Sequence, residues 1–411
     1  MAGDDSYWPF KPGASKFGYI NNPRWTDVPE FADKHSPCGY WPKDRRFMPT
    51  MPTHGNVFGA GDREYFKGSD YSGDAQTFEY LPELGHIEKI FSTYSGFLAI
   101  DNEGRMFAVG GKPGTGFGVT GSLTEWTEVS EPGPWREASS NCYASHMFAI
   151  KQDGTLWCTG RNQRGYLGTG DTNQRNNWTQ HGVANDWAKC SVGNEHTLIL
   201  TESGDLYGCG LYYIGSYNMG YSGWDYLDEF ILLTTGVIDM VAGTRFSMYT
   251  RGDGRLYVTG SNWVGNLGTG DDIDLYWFTD ANVAAQGAGV PDRISLFTQN
   301  SMFVDQGGNL WAAGRNDSYQ LGLPDTIDYL LFNQVPGSNW LDVSTYNNST
   351  LALRVDRSLW VTGRNDASKL GLGHSNQVEE FEQVPNLQCL QIANSYNATL
   401  IIVWDGMFNW E

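Results

Sequence analysis

The chain of 411 residues combines 40% hydrophobic residues and 51 glycines with a formal net charge of −20. Because so acidic a surface repels phosphate backbones, it excludes a nucleic-acid-binding protein with a basic groove. No apolar run reaches the ~18 residues that a membrane helix needs, so no membrane insertion is expected. The first residues lack the basic and apolar regions of a signal peptide, so we expect a chain that is cytoplasmic as synthesised, even if it is later assembled into a virion.

Residues 1–54 are rich in proline and aromatic residues and show neither a helical nor a strand period. This composition predicts an extended N-terminal arm, which buries no core of its own and whose aromatic side chains need another surface to lie on. That surface is either the rest of the chain or a different protein, and the sequence leaves both open. Because aromatic side chains dominate interface energies, the candidate partner-binding residues of the arm are Trp8, Phe10, Tyr19, Trp25, Tyr40 and Trp41.

After the arm, a short phrase recurs in which a glycine, a hydrophobic residue and an aromatic residue precede a second glycine. Its seven copies end at Gly61, Gly110, Gly160, Gly210, Gly260, Gly314 and Gly363. The copies are about 50 residues apart, and a fixed period of this size is typical of a solenoid or a propeller.

Each of the later copies follows an apolar run, and a turn pair such as Asp153-Gly154 separates the two. Asp-Gly between apolar runs predicts a β-hairpin, because the turn needs a positive φ. Each unit is therefore expected to supply an inner strand such as 146–151 and a second strand such as 155–159. Two further strands follow, of which 126–129 and 188–192 are examples, and four short antiparallel strands make one propeller blade.

Counting these units predicts an all-β, seven-bladed β-propeller. The ring is expected to be closed by pairing between an N-terminal strand at 56–60 and a C-terminal strand at 398–403. An alternative with eight blades adds strands at 46–51 and 406–410, although two prolines in the first of these disfavour it. The predicted domains are the arm at 1–54 and the propeller at 55–411.

The full phrase, best seen in residues 153–171 and 253–271, resembles the repeat of the regulator of chromosome condensation (RCC1-like) family. The resemblance covers roughly residues 55–404 and implies a seven-bladed propeller. Members of the family act as nucleotide-exchange factors, enzyme inhibitors, photoreceptors and scaffolds, so the resemblance does not imply one function. An exchange factor of the family carries an inserted hairpin wedge, and the regular intervals between the units leave no room for one here.

Several short motifs resemble catalytic or ligand-binding motifs, but their positions in the repeat explain them. Residues 116–121 match GxGxxG without a helix to follow, so no dinucleotide cofactor is expected. The Arg251-Gly252-Asp253 tripeptide coincides with a hairpin turn, and His146 and His196 open equivalent strands, where structural hydrogen bonding is expected. The six cysteines form no CxxC pair and predict neither a zinc site nor a disulfide framework; Cys158 and Cys209 are expected to be small buried hydrophobes. We therefore expect no enzyme, no catalytic residue, no cofactor and no metal site.

The unit that ends at Gly210 loses the phrase in the loop that follows it. This loop is crowded with aromatic residues, a composition that suits protein or sugar recognition as well as local packing. Its candidate partner- or glycan-binding residues are Tyr212, Tyr213, Tyr217, Tyr221, Trp224 and Tyr226. Residues 276–278, Tyr-Trp-Phe among acids, are expected in the third strand of a blade with an exposed edge.

These patterns predict a non-enzymatic propeller that binds other proteins. The leading hypothesis is a structural component of a larger assembly, such as a phage virion or a surface appendage, tethered by the arm. One alternative is a carbohydrate- or receptor-binding propeller. Another is a regulatory binding protein, of the inhibitor or nucleotide-exchange type that the family resemblance implies.

Overall fold

A computed structural model of the chain describes residues 54–93, 96–110, 123–140, 146–211, 226–346 and 348–404. All of the predicted arm except its last residue lies outside this part of the chain. The two strands of the eight-bladed alternative, 46–51 and 406–410, also lie outside it. Short antiparallel strands dominate the described residues, as the glycine-rich and aromatic-rich composition predicts.

Five antiparallel sheets have four strands each and follow one another along the chain. The first two are β3 (Ile87–Ser92), β4 (Gly96–Asp101), β5 (Met106–Gly110) and β6 (Leu123–Glu128), then β7 (Trp135–Ser140), β8 (His146–Lys151), β9 (Leu156–Gly160) and β10 (Arg175–Gln180). The third is β11 (Trp187–Val192), β12 (His196–Thr201), β13 (Leu206–Leu211) and β14 (Tyr226–Thr234). The last two are β15 (Val237–Ala242), β16 (Phe246–Arg251), β17 (Leu256–Gly260) and β18 (Leu275–Asp280), then β19 (Pro291–Leu296), β20 (Asn300–Asp305), β21 (Leu310–Gly314) and β22 (Tyr329–Gln334).

A sixth sheet joins the two ends of the described chain. It has seven strands, in the order β2-β1-β27-β26-β25-β24-β23. Their bounds are β1 (Asn56–Asp62), β2 (Asp74–Tyr80), β23 (Trp340–Tyr346), β24 (Ser349–Arg354), β25 (Ser358–Gly363), β26 (Val378–Asn394) and β27 (Ala398–Val403). The helices are short: an α-helix, α1 (Arg63–Phe66), and 3-10 turns at Pro82–Leu84, Val283–Gln286 and Asp366–Ser368.

The structure confirms a β-propeller but not seven separate blades. Five blades are discrete sheets, and the remaining strands form the seven-stranded sheet. The cause is β26, which runs unbroken for 17 residues. Its first part pairs with β25, up to Gln388 opposite Ser358, and its last part pairs with β27, from Cys389 opposite Val403. Elsewhere in the ring a loop separates these two parts of the repeat.

The predicted closure by the two ends of the chain is confirmed. Strand β1 pairs antiparallel with β27 in continuous register, from Asn56 opposite Val403 to Gly61 opposite Ala398. Because this pairing joins segments more than 300 residues apart in sequence, the ring closes without leaving an open edge at its seam.

The predicted order of strands within a blade is wrong in one respect. The apolar run 146–151 was expected to be innermost, whereas β8 is the second strand of its sheet and β7 lies inside it. The segment expected as the fourth strand of a unit, such as 188–192, instead opens the next sheet as β11. The physical reason is burial: Cys190 and Val192 are apolar and nearly inaccessible, and an outer edge would leave them in water.

The core lies between sheets. Strands β8 and β12 are buried almost along their whole length, because neighbouring sheets cover both of their faces. Trp157 packs on a cluster that contains Leu98 from one sheet and Trp135 from the next. The aromatic position of the repeated phrase therefore contributes to packing between blades. The hairpin turns are also as predicted: Gly154 has φ 81° and its N–H donates to the carbonyl of Lys151.

Candidate functional site

The centre of the ring contains a cavity of about 220 Å³. Seven strand segments line it, and these are β3, β7, β11, β15, β19, β23 and the last part of β26. Each is the innermost strand beside an apolar run, so each brings the same repeat position to the channel. Any chemistry at the propeller axis must come from these positions.

At one repeat position, each of the seven innermost strands has a polar or charged residue, and together these residues form a ring. Each member pairs with the strand beside it just after a register shift, which shows that the seven positions are equivalent. Around the channel their charges alternate, with one neutral member at the seam, since a ring of seven cannot alternate completely. We call this the charge ring, and its members are Lys89, Glu137, Lys189, Asp239, Arg293, Asp342 and Gln391.

Contacts in the charge ring run from one innermost strand to the next. Lys89 Nζ lies 3.7 Å from Glu137 Oε2, and the Lys189 ammonium donates to Asp239. Gln391 closes the seam by bonding the free edge of β3: its Oε1 accepts from the Ile90 N–H at 2.9 Å and its Nε2 donates to the Ile90 carbonyl at 2.8 Å. The ring therefore joins first and last parts of the described chain through side chains as well as strands.

Glu137 is the most perturbed member of the ring. Its side chain is 1% exposed, and its Oε2 has no hydrogen-bond partner. Burial raises the pKa of Glu137 to about 7, and the positive charges of Lys89 and Lys189 offset only part of that effect. For Lys189 burial opposes the charged form, but Asp239 outweighs it and raises the pKa of the ammonium.

Serine side chains connect the innermost strands one layer further along the channel. Ser139 Oγ accepts from the Val192 N–H at 3.1 Å, and Ser191 Oγ accepts from the Ala242 N–H at 2.9 Å. Burial raises the pKa of the Cys190 thiol well above its ordinary value, which disfavours the reactive thiolate form. The described residues hold no group of three or more His, Cys, Asp or Glu suited to a metal ion. The channel side chains thus bond each other, which is a structural role.

The two repeated histidines hydrogen-bond as the sequence predicts. His146 Nε2 lies 3.2 Å from Thr197 Oγ1, and His196 Nε2 lies 2.9 Å from Ser247 Oγ, each on the following sheet. Burial lowers the pKa of both imidazoles to about 3, so both are neutral at physiological pH. Cys158 and Cys209 are buried free thiols, and Arg251-Gly252-Asp253 ends β16 and enters a hairpin turn, also as expected.

A buried asparagine organises the loop after the third strand in four units. In each loop its Oδ1 accepts from the backbone N–H five residues on, at 2.8–3.0 Å. Its Nδ2 donates to the carbonyl nine residues on, at 2.5–2.9 Å. These asparagines, two residues after the glycine that ends each phrase, are Asn162, Asn262, Asn316 and Asn365.

The divergent loop lacks that asparagine and is longer than its sisters. Sixteen residues separate Gly210 from its strand partner Leu227, whereas fourteen separate Gly260 from its partner Leu275, and Tyr212 stands where the four loops above have asparagine. The candidate residues of this loop lie outside the described part of the chain, except for Tyr226. Tyr226 begins β14 opposite Leu211 and is 39% exposed. The six candidate residues of the arm lie outside it as well.

Residues 276–278 lie in β18, which is the fourth and outer strand of its sheet rather than the third, and Trp277 is 57% exposed, as expected for an exposed edge. The sequence analysis missed two neighbouring features: Trp263 on the Asn262 loop is 61% exposed, and Leu330 and Leu331 are exposed on β22 of the next sheet. Comparing each outward position with its sister units could have found them, since Gln163 stands where Trp263 does.

Comparison with known proteins agrees with the repeat. Residues 141–165 and 188–211 match the regulator of chromosome condensation (RCC1) repeat. The chain is 31% identical over 192 residues to the ultraviolet-B receptor UVR8 of Arabidopsis thaliana, a match that covers 46% of this chain and 43% of the receptor. It is 31% identical over 173 residues to human RCC2, covering 40% of this chain and 32% of RCC2. The chain thus matches less than half the length of either relative.

Among solved structures, Prp20p from Saccharomyces cerevisiae superposes with a TM-score of 0.73 at 13% identity, covering 87% of this chain and 94% of Prp20p. Identity that low shows the fold alone. The sheet topology and the repeat match together identify the structure as an all-β propeller of RCC1-like repeats. None of these proteins supports a virion component or a glycan-binding role. No helix in the described residues combines the length and the apolar character needed to span a membrane.

Proposed function

We propose that this protein is a non-enzymatic, regulatory protein-binding propeller, which makes contact through the divergent loop and the N-terminal arm. The observation that carries the proposal is the loop at 212–225. It is two residues longer than its sister loops and has Tyr212 in place of their organising asparagine, so it departs from the scaffold in both length and sequence.

The relatives favour the regulatory alternative over a structural particle component. One is named as a receptor, and Prp20p is described by its binding to Gsp1p and histones. We transfer only the general feature that a propeller of this kind binds proteins. For the ring itself we propose seven functional blades, with the seven-stranded sheet acting as two blades that share β26, because seven segments line the channel.

A loop exchange tests the proposal. Residues 211–226, between the paired Gly210 and Leu227, are replaced by the sequence of 161–174, which lies between the equivalent pair Gly160 and Arg175 and brings its own organising asparagine. The exchanged chain is expected to fold with an unchanged melting temperature but to lose its protein partners in a quantitative pull-down. The control replaces the exposed Gln163, Arg164 and Thr172 of the loop after β9 by alanine and keeps Asn162.

Deletion of residues 1–54 tests the arm separately. If the arm is a tether, the shortened chain retains its fold and captures its partner at least tenfold less efficiently. Unchanged capture would remove the arm from the proposal, and unchanged capture by the loop-exchanged chain would remove the loop.

A further inference from the structure

One outward-facing surface of the propeller is apolar where the repeat does not need it to be. Two adjoining sheets contribute to it: the Asn262 loop, which follows β17, and strand β22. We call it the Trp263 face, and it consists of Trp263, Ile273, Leu330 and Leu331, which are 61%, 64%, 40% and 44% exposed.

Backbone contacts bring the segments that carry the four residues side by side. The Gly270 N–H donates to the Leu330 carbonyl at 2.8 Å, and Thr269 bridges to Leu331. Gly265 lies so close that a Cβ there would meet Leu330 Cα at 2.5 Å. Ile273 belongs to the same loop, since the Ile273 N–H donates to the Asp271 carboxylate, which Asn262 also contacts.

The Trp263 face is held in place before any partner arrives. Asn262 is fully buried, and it bonds the Leu267 N–H at 2.8 Å and the Asp271 carbonyl at 2.9 Å. The Asn262 N–H in turn donates to Asp274 Oδ1 at 2.8 Å. An exposed tryptophan on a fixed loop loses little conformational freedom on binding, which is the property of an interface hot spot.

Sister units show that the scaffold accepts polar residues at these positions. Where Trp263 stands, the three other loops with the organising asparagine have Gln163, Asp317 and Asp366, all exposed. Where Leu330 and Leu331 stand, two other outer strands have exposed polar pairs, Asn176 with Asn177 and Glu379 with Glu380, whereas β18 has Tyr276 and Trp277. Since the fold is satisfied by polar residues there, the apolar ones have another purpose.

The charge around the Trp263 face is mostly negative. Between residues 256 and 353 the sequence has ten aspartates and two arginines, with no lysine or glutamate. Arg293 is buried in the charge ring, and Arg315 donates to Asp317 at 2.8 Å. Asp271, Asp272 and Asp328 are exposed beside the apolar residues. A partner must therefore bring positive charge with its apolar side chains.

Building on the proposed protein-binding function, we propose that the Trp263 face binds a basic amphipathic segment of another protein. Apolar side chains of that segment pack on Trp263, Leu330 and Leu331, and its lysines or arginines face Asp271, Asp272 and Asp328. A second copy of this chain fits poorly, because both surfaces would be acidic.

The test uses the full chain and a phage-displayed library of random 16-residue peptides as the probe. Selected peptides are synthesised and measured by fluorescence anisotropy against wild type, Trp263→Gln and Leu330→Asn/Leu331→Asn, which carry the residues of the sister units. Gln163→Ala is the matched control. We expect peptides with aromatic or aliphatic anchors and several basic residues, at least tenfold weaker binding to both variants, unchanged binding to the control, and affinity that falls with added salt.

Three outcomes would overturn the inference: selection of neutral or acidic peptides, equal binding to wild type and variants, or no selected peptide at all. Self-association of the wild type that Trp263→Gln abolishes, measured by sedimentation, would assign the face to a second copy and also overturn it. The loop exchange at 211–226 changes no residue of the Trp263 face. Peptide binding that persists in the loop-exchanged chain would therefore separate this inference from the function proposed for the loop.

Discussion

Glu137 is a carboxyl group whose burial costs stability when it ionises. Its pKa in the folded chain is about 7, above the ordinary value of 4.5, so the folded state binds its proton more tightly than the unfolded state. This group's contribution to stability is therefore fully present below pH 4.5 and is lost as the pH rises towards 7. The loss is on the order of 3 kcal/mol.

Glu137→Gln removes that titration. We expect the free energy of unfolding of wild type, relative to the variant, to fall between pH 4.5 and 7, measured by urea denaturation at several pH values. Two parallel stability curves would show that the ring leaves Glu137 with an ordinary pKa. Glu125→Gln is the matched control, since Glu125 is exposed on β6, outside the charge ring.

The buried His196 makes stability depend on pH in the opposite direction to Glu137. Burial and the neighbouring His146 lower its pKa to about 3, so the unfolded chain takes up a proton that the folded chain refuses. Stability is present above pH 6.5 and is lost as the pH falls, by about 2 kcal/mol between pH 6.5 and 5. His196→Asn places there the residue that the repeat has at Asn300, and we expect the acid loss to shrink by that amount. An unchanged acid slope would mean that His196 becomes protonated in the folded state.

The buried loop asparagine stabilises one structural element, the loop after the third strand of its sheet. Asn262→Ala leaves the Leu267 N–H and the Asp271 carbonyl without their partner, and each lost bond costs about 1–3 kcal/mol. We expect a melting temperature several degrees lower and weaker binding by the Trp263 face. Asn177→Ala on an exposed strand is the control, with an expected change within about 0.5 kcal/mol. Equal stability of Asn262→Ala and wild type would contradict this role of the loop.

The hairpins, their turns and the pairing of β1 with β27 could be predicted, because Asp-Gly pairs and the apolar runs are local signals that recur. The innermost strands could not be placed from the same signals. A segment such as 188–192 pairs equally well with either neighbour, and only burial within the assembled ring decides. The joining of two blades into one sheet by β26 was also not predicted. It depends on the absence of a loop between the two parts of β26, and no sequence motif indicates that absence.

The candidate site was harder to predict than the fold. Lys89, Glu137 and Gln391 are ordinary polar residues in sequence, and they form a ring only because equivalent strands meet at one axis. Trp263 and Leu331 are far apart in sequence and lie on different sheets. Aligning the units with each other would have marked both sets, the first because its charge alternates and the second because its members are apolar where sister units are polar.

At the scale of the whole molecule, the charge ring couples the sheets. The buried pair of Lys189 and Asp239 is expected to be strongly destabilised by either single change, Lys189→Met or Asp239→Leu, at about 3–5 kcal/mol each. The double variant should lose much less than the sum, since no uncompensated charge remains. Additive losses in a denaturation cycle would mean that the two charges do not depend on each other.

The central claim is that partner binding depends on the departures from the repeat, while the channel holds the ring together. The most direct test compares the proteins captured by wild type, the Lys189→Met/Asp239→Leu variant and the loop-exchanged chain, quantified by mass spectrometry of one cell extract. We expect the channel variant to capture the same proteins as wild type and the loop-exchanged chain to lose at least one of them tenfold or more. Loss by a folded channel variant, with full capture by the loop-exchanged chain, would contradict it.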